Sequence, residues 1–379
     1  MNEMRNAAFS KLFLATSVAL ALFAEGCVGV PEERAQRDET IGQGATAGMT
    51  LQIVDGLGVV RQIEPGIVKI RAQAPSLDIR VSQGGGTPTA WSLTVSNVLP
   101  NAVLEAKTAA GDTVPVPAPL PSARPTEKQW TLTLPPGDTI LSLRPTVNDP
   151  TAPWRFAVLG DVQEAIDRVQ DIYRRMNADP SITFIACTGD LTQQGTPDQL
   201  DRFERELESL EAPFYPTLGN HELGTEDGAV FQRTFGRGSF RFVYRDMQFT
   251  FLDSSSATID PRAYGWLDQW LSEGRNRTHA VLMHIPPLDP TGVRNGAFAN
   301  RNEAAKLITL LAEGHVDLTL YGHIHTYFAF SNANIPAYIS GGGGSIPERF
   351  DGIGRHYLTV DVDPTRGVLD TSIVRIDYD

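Results

Sequence analysis

Acidic, amide and imidazole side chains recur in this sequence directly after short apolar segments. Asp161 follows the run FAVLG, Asp190 follows IACTG, and Asn220 follows YPTLG. Three histidines, His284, His323 and His325, lie at or just after the ends of later apolar runs. Ligand sites of open α/β sheets gather at the carboxyl ends of the strands, and these side chains are common ligands of divalent metal ions. The pattern therefore predicts a metal site at the edge of a sheet.

The seven histidines of the chain fall into two groups. Four lie in strand-end segments of this kind, including His221 beside Asn220. The other three, His279, His315 and His356, lie outside them and need no function. Any one of the four could be a structural histidine with satisfied hydrogen bonds. Their ordered occurrence together with two Gly-Asp pairs favours a shared site.

The order GD, GD, GNHE, H and GHIH closely resembles that of the calcineurin-like metallophosphoesterase family, over roughly residues 155–379. The resemblance implies an α/β (α+β) fold, a four-layer sandwich of two mixed β-sheets flanked by helices. It also implies a metal-dependent phosphoester hydrolase, either a phosphatase or a phosphodiesterase, in which a metal-activated water is the nucleophile. The related purple acid phosphatases carry an iron-binding tyrosine after the second motif. Here Thr192 and Gln193 stand in that region, so no tyrosinate–iron chromophore is expected.

The family's ligands carry over to this sequence residue by residue. One divalent ion would be held by Asp161, Gln163, Asp190 and His325, and the other by Asp190, Asn220, His284 and His323. Asp190 takes the bridging position, and the ions would be Mn²⁺, Fe²⁺/³⁺, Mg²⁺ or Zn²⁺. His221 matches the residue that protonates the leaving oxygen or steadies the phosphate, with Glu222 in support. Asp190 and His221 are thus the expected catalytic residues.

Gln163 departs from the histidine that most relatives have at its position. An amide oxygen can bind a hard cation directly, and an amide N–H can instead donate a hydrogen bond to a ligand or to water. A third interpretation is a degraded site, in which case the chain is a non-catalytic binding or scaffold protein. The first two interpretations favour the harder ions Mn²⁺, Mg²⁺ and Fe²⁺.

Candidates for substrate binding are few. Arg294 and Arg301 lie in a long segment after His284 and could hold a phosphate, although a solvated loop is the simpler interpretation of this segment. The glycine run at 341–344 allows a close backbone approach to the site or to a neighbouring strand. A net charge of -13 disfavours nucleic acids, which need surfaces rich in lysine and arginine. A phosphorylated small molecule or lipid is the expected substrate.

The beginning of the chain resembles a bacterial lipoprotein signal. An apolar run of about 13 residues is too short to cross a bilayer and suits a signal peptide over residues 1–27. Cys27 would carry the lipid, and ordinary secretory cleavage nearby is the alternative. Residue 28 is not Asp, which favours the outer membrane over the inner one. We therefore expect an exported protein anchored at the cell envelope, with a flexible polar tether over residues 28–48.

Two further regions are expected. Residues 49–148 contain short strand-like segments between Pro- and Gly-rich turns, which predicts a small β-sandwich. Residues 155–379 alternate between strands and helices, with helical periodicity in RVQDIYRRM, TPDQLDRFERELESL and NEAAKLITLLAEG. Thr196 is the expected N-cap of the second of these helices. Cys187 lies in an apolar run and is expected to be a buried small hydrophobe.

Overall fold

The first strands of the chain form a β-sandwich. The computed structural model describes residues 31–293 and 295–376, and the strands within its first part are β1 Gln43–Thr46, β2 Met49–Ile53, β3 Gly58–Glu64, β4 Ile67–Ala72, β5 Leu77–Gln83, β6 Thr89–Ser96, β7 Ala102–Thr108, β8 Glu127–Leu134 and β9 Gly137–Pro145. One sheet has the order β1-β2-β5-β9-β7 and faces a second with the order β3-β4-β6-β8. Alternate residues point inward, such as Leu77, Ile79 and Val81 of β5, and they share one core. The predicted β-sandwich is confirmed.

The rest of the described chain alternates between helices and strands. The strands are β10 Trp154–Leu159, β11 Ile182–Cys187, β12 Phe214–Pro216, β13 Phe240–Tyr244, β14 Met247–Leu252, β15 Thr278–Met283, β16 Leu318–Tyr321, β17 Tyr327–Asn332, β18 Ile335–Ser340, β19 His356–Asp363 and β20 Gly367–Arg375. The helices are α1 Pro31–Thr40, α2 Gln170–Asn177, α3 Pro197–Glu206, α4 Ala229–Phe235, α5 Pro261–Gly274 and α6 Arg301–Glu313. The periodic segments of the sequence correspond to α2, α3 and α6. Thr196 caps α3 as predicted, since its hydroxyl accepts the Gln199 N–H.

Strands β10–β20 build two mixed sheets that pack against each other. One has the order β12-β11-β10-β19-β20 and the other β13-β14-β15-β16-β18-β17. Strand β10 is buried on both faces, as a strand in an inner layer must be. Its Phe156 and Val158 point into the core between the sheets, whereas Ala157 and Leu159 point towards α2 and α3. A further core lies between the second sheet and helices α5 and α6. The order helix, sheet, sheet, helix confirms the predicted four-layer α/β fold.

Helix α1 corrects the expectation of a flexible tether. Residues 28–48 were predicted to be unstructured because their composition is polar, yet α1 spans Pro31–Thr40 and β1 follows it. Arg34 and Asp38 of α1 are 1% and 2% exposed. Arg34 donates to Asp253 at 2.7 Å and to Asp227 at 2.6 Å. Polar residues therefore dock this segment through buried ion pairs, which a search for apolar periodicity does not detect.

The fold brings the ends of several strands to one edge. Strands β10, β11 and β12 run parallel in the first sheet, and β14, β15, β16 and β18 run parallel in the second. Asp161, Asp190, Asn220, His284 and His323 come directly after five of these strands. Cys187 is fully buried, as expected. Cys27 lies outside the described residues, among which no helix is both long and apolar enough to span a bilayer.

Candidate metal centre

Acidic and imidazole groups converge where the two sheets meet. Among the described residues, one set whose ligand atoms all lie within 4.8 Å of one another is Asp190, His284 and His323. The other such set is Asp161, Asp190 and His325. Asp190 belongs to both sets, and its side chain is 1% exposed. The arrangement has the form of two adjacent cation sites that share one carboxylate.

Each histidine at the site is oriented by a main-chain carbonyl. In His284, His325 and His221, Nδ1 faces the carbonyls of Thr188, Ile346 and Gln193 at 2.9, 2.7 and 2.7 Å. In His323 it is Nε2 that faces a carbonyl, that of Asn295 at 2.9 Å. A carbonyl oxygen only accepts, so each of these nitrogens carries the proton. In the neutral rings of His284, His323 and His325 the other nitrogen has a free lone pair, as a metal ligand requires.

Acceptor atoms lie close to one another at the centre. Nε2 of His284 lies 2.9 Å from Asn220 Oδ1 and 3.2 Å from Asp190 Oδ2, and both oxygens are acceptors. Burial lowers the pKa of His284, but the carboxylates of Asp190, Asp161 and Glu222 together outweigh this effect and raise the pKa to about 9. For the Asp161 carboxyl, burial has the opposite sign: it raises the pKa to about 6, although the nearby His284 acts to lower it. No lysine or arginine of the described residues pairs with Asp161 or Asp190. The donor set therefore fits divalent metal ions, which would supply the missing positive charge.

The backbone around the site is strained. Asp161, Gln163, Asp190 and His323 have φ values of 61°, 48°, 53° and 70°, a region that non-glycine residues seldom adopt. Such strain costs about 1–3 kcal/mol per residue and is concentrated at functional sites. Position 219 requires glycine because of close packing, since a Cβ there would overlap the Asp190 carboxylate.

Comparison with known proteins agrees with this geometry. Residues 155–327 match the family model of the calcineurin-like phosphoesterases. These residues form a calcineurin-like phosphoesterase domain.

Similar proteins cover only part of this chain. A 3′,5′-cyclic-nucleotide phosphodiesterase of Nostoc sp. is 26% identical over 165 residues, which are 41% of this chain and 60% of that protein. The 3′,5′-cyclic adenosine monophosphate phosphodiesterase CpdA of Pseudomonas aeruginosa is 26% identical over 180 residues, or 44% of this chain and 62% of that protein. Among solved structures, GAP50 of Plasmodium superposes with a TM-score of 0.42 and 17% identity, covering 60% of this chain and 90% of that chain.

Gln163 of the phosphoesterase domain faces the candidate metal centre and is 3% exposed. Its Nε2 lies 2.8 Å from Asp190 Oδ2 and 3.1 Å from His325 Nε2. The Asp190 oxygen can only accept, so it suits the amide nitrogen of Gln163, and this contact does not use the His325 Nε2 lone pair that a metal ion would take. This arrangement favours the hydrogen-bonding interpretation of Gln163 over direct ligation through its oxygen.

Glu222 was expected to support His221, but its carboxylate contacts other residues. Its carboxylate accepts the Thr192 N–H at 2.9 Å and the Thr192 hydroxyl at 3.1 Å. It also accepts the Gly219 N–H at 3.1 Å. Glu222 therefore joins the loop after β11 to the loop after β12 and does not bond to the His221 ring. Burial, followed by the nearby Asp190 carboxylate, raises the pKa of Glu222 to about 8.

The arginines proposed for substrate binding gain no support from the described residues. Arg294 lies outside them. Arg301 is an exposed first residue of α6, and no hydrogen bond or ion pair within the described residues joins it to the metal centre. The segment before α6 reaches the site instead through the Asn295 carbonyl. The glycine run does pass close to the site, since Gly343 donates to the Gly160 carbonyl at 2.8 Å and Ser345 to that of Asp161 at 3.0 Å.

Proposed function

We propose that this protein is a metal-dependent phosphoester hydrolase with a dinuclear metal centre. The observation that carries the proposal is the position of Asp190 in both sets of potential ligands. A pair of divalent ions about 3.5–4 Å apart activates water and stabilises the attacking and leaving oxygens of a phosphoryl displacement. One site would consist of Asp161, Asp190 and His325, with Gln163 beside it, and the other of Asp190, Asn220, His284 and His323.

His221 is the proposed proton donor. Its main-chain N–H donates to Asp190 Oδ1 at 3.0 Å, and its ring is held by the Gln193 carbonyl. The side chain is 27% exposed, with Nε2 at 3.8 Å from Asp190 Oδ2. In the cationic ring, Nε2 therefore carries a proton next to the metal centre and in reach of a bound ester. Proton transfer from this nitrogen would allow the alkoxide to leave as a neutral alcohol.

We propose phosphodiesters as substrates, with 3′,5′-cyclic nucleotides the first to test. The names of the Nostoc and Pseudomonas proteins support this choice. The matched part spans 60% of the Nostoc protein, so its substrate is a hypothesis for this chain. The net charge of -13 favours a small ester over a long polyanion.

The test is hydrolysis of bis-p-nitrophenyl phosphate, p-nitrophenyl phosphate and 3′,5′-cyclic AMP by purified protein, with Mn²⁺ or with chelator. We expect Mn²⁺-dependent turnover, faster on the two diesters than on the monoester. A fast monoester reaction would instead indicate a phosphatase. Metal-loaded protein without turnover on any of the three would favour the non-catalytic scaffold interpretation.

We further propose that the protein is exported and lipid-anchored at Cys27 in the cell envelope. The support for this location is the sequence pattern before Cys27. Mass spectrometry of the N-terminal peptide tests it, because a diacylglyceryl modification on Cys27 is expected in the native chain. An unmodified N-terminus at a nearby residue would indicate ordinary secretory cleavage.

A further inference from the structure

Arg71 lies between the β-sandwich and the phosphoesterase domain, and its guanidinium makes no hydrogen bond to any of the described residues. Arg71 of β4 is 6% exposed, and its Nη2 is buried without a hydrogen-bond partner. Within the described residues its guanidinium forms no ion pair. One close neighbour is the ring of Phe235, whose centroid lies 4.9 Å from Cζ. A buried guanidinium with five N–H donors is costly unless an acceptor is present.

Arg71 faces a cleft of about 360 Å³ between β4, β6 and the end of α3. Ile70 points into the core of the sandwich, so Lys69 and Arg71 point outward on the same face of β4. Thr94 and Ser96 of β6 pair with these two residues and line the same wall. The wall of the cleft thus combines the basic side chains of Lys69 and Arg71 with the hydroxyl of Thr94, whereas the Ser96 hydroxyl already donates to the Ile70 carbonyl at 3.4 Å.

The acidic residues of the cleft are mostly paired with other arginines. Arg61 binds Glu204 through two hydrogen bonds of 2.9 and 3.0 Å. Arg124 pairs with Glu127 and with Glu208. The lining charges that form no ion pair with any residue in the described part of the chain are Lys69, Arg71, Arg205 and Asp201. Burial lowers the pKa of Arg71 to about 10, so it is still a cation at neutral pH.

We propose that this cleft binds a small anion bearing a phosphate group, with Arg71 donating to its oxygens and Lys69 at its mouth. The planar guanidinium matches a tetrahedral oxyanion through paired N–H donors. None of the lining residues belongs to the metal centre, so this second site does not depend on the proposed activity. Its ligand would join the sandwich to α3 and thereby stabilise both parts against unfolding.

The test is calorimetric titration of inorganic phosphate into the mature chain after metal removal with chelator. We expect one phosphate-binding site in the native chain and in Arg80→Met, a matched exposed arginine of β5. Arg71→Met should weaken binding by about tenfold or more, the effect of losing a charge-assisted hydrogen bond. Glycerol phosphate as a second titrant distinguishes the sources, since tighter binding than inorganic phosphate would identify a phosphate ester as the ligand.

The proposal is overturned if Arg71→Met binds phosphate as tightly as the native chain. It is also overturned if the native chain binds neither titrant at millimolar concentration. Methionine keeps a long unbranched side chain beside Phe235 but removes the guanidinium, and a melting curve checks that the variant folds. If Arg71→Met does not fold, the Lys69→Met variant tests the site instead. Lys69 is exposed, and its replacement should weaken phosphate binding several-fold. An unchanged affinity in this variant would refute the site.

Discussion

At the residue scale, His221 and Asp190 lie close together but have different proposed tasks. Asp190 belongs to both proposed ion sites, whereas the His221 ring is held by a carbonyl outside the ligand sets. We expect Asp190→Ala to lose both metal and activity. His221→Ala should keep its metal and lose about 10²–10⁴-fold in turnover, the usual contribution of a general acid. Metal analysis and diester hydrolysis on the same samples provide the measurement.

His315→Asn is the control for this comparison, because His315 is exposed and lies outside the site. It should behave like the native chain in both measurements. Equal metal loss in the His221 and Asp190 variants would contradict the roles assigned to them.

Gln163 gives a second test at this scale. Its amide nitrogen faces Asp190 and His325, so we expect Gln163→Ala to retain its metal content and to lose turnover. Gln163→His should also retain metal, because it restores the residue type that most relatives carry. The metal content of each variant at saturating Mn²⁺ distinguishes a hydrogen-bonding amide from a metal-binding one. Loss of about one ion from Gln163→Ala would show that the amide oxygen is a ligand.

The strand-end motifs of the sequence located the residues that the structure brings together. Motif residues stand out because their types are unusual after apolar runs. The carbonyls of Thr188, Gln193, Asn295 and Ile346 orient the histidines, yet no sequence pattern reveals them, since every residue carries a carbonyl. The contact of Glu222 with Thr192 depends on how two loops fold together, so the sequence does not reveal it either.

At the element scale, α1 is held by buried charge. Arg34 bonds to Asp253, Asp227 and Ser256, and its side chain is 1% exposed. Removing one partner of a buried ion pair leaves the other charge unsatisfied and costs about 3–5 kcal/mol. We therefore expect Arg34→Met to lower the free energy of unfolding by about this amount, as measured with urea.

The matched control is Arg262→Met. Arg262 forms more exposed ion pairs with Glu32 and Glu39, at 3.3 and 3.7 Å. Pairs of this kind are worth less than about 1 kcal/mol. A loss in Arg34→Met no larger than in this control would mean that α1 is not docked in solution.

Helices with an apolar stripe were predictable and the polar one was not. Helix α2 buries Ile172, Tyr173 and Met176 from one face, a spacing visible in the sequence. Helix α1 has no such stripe, and two of its three buried residues, Arg34 and Asp38, belong to types that are seldom buried. Their partners are about 190–220 residues away in the sequence, so the pairing appears only in the fold.

At the scale of the whole molecule, two amide side chains join the sandwich to the phosphoesterase domain. Asn97 donates to the Phe214 carbonyl at 2.9 Å and accepts the Phe214 N–H at 2.8 Å. Gln73 makes the same pair of bonds with Arg237, at 2.7 and 2.9 Å. Each side chain thus satisfies both polar groups of one residue in the other part of the chain.

This junction predicts that the native chain unfolds in a single thermal transition. Replacing both amides, as Gln73→Leu with Asn97→Leu, leaves buried main-chain groups unpaired at about 1–3 kcal/mol each. The double variant should melt earlier and in two transitions, as calorimetry can resolve. The exposed glutamine variant Gln269→Leu serves as the control. Two separate transitions in the native chain would show that the junction does not couple the two parts.

The most direct test of the dinuclear centre is native mass spectrometry of the protein during titration with Mn²⁺, with diester hydrolysis followed on the same samples. Two bound ions per chain are predicted, with activity rising as the second ion binds and both ions lost in Asp190→Ala. A native chain that binds one ion or none at saturating Mn²⁺ would contradict a centre built around Asp190.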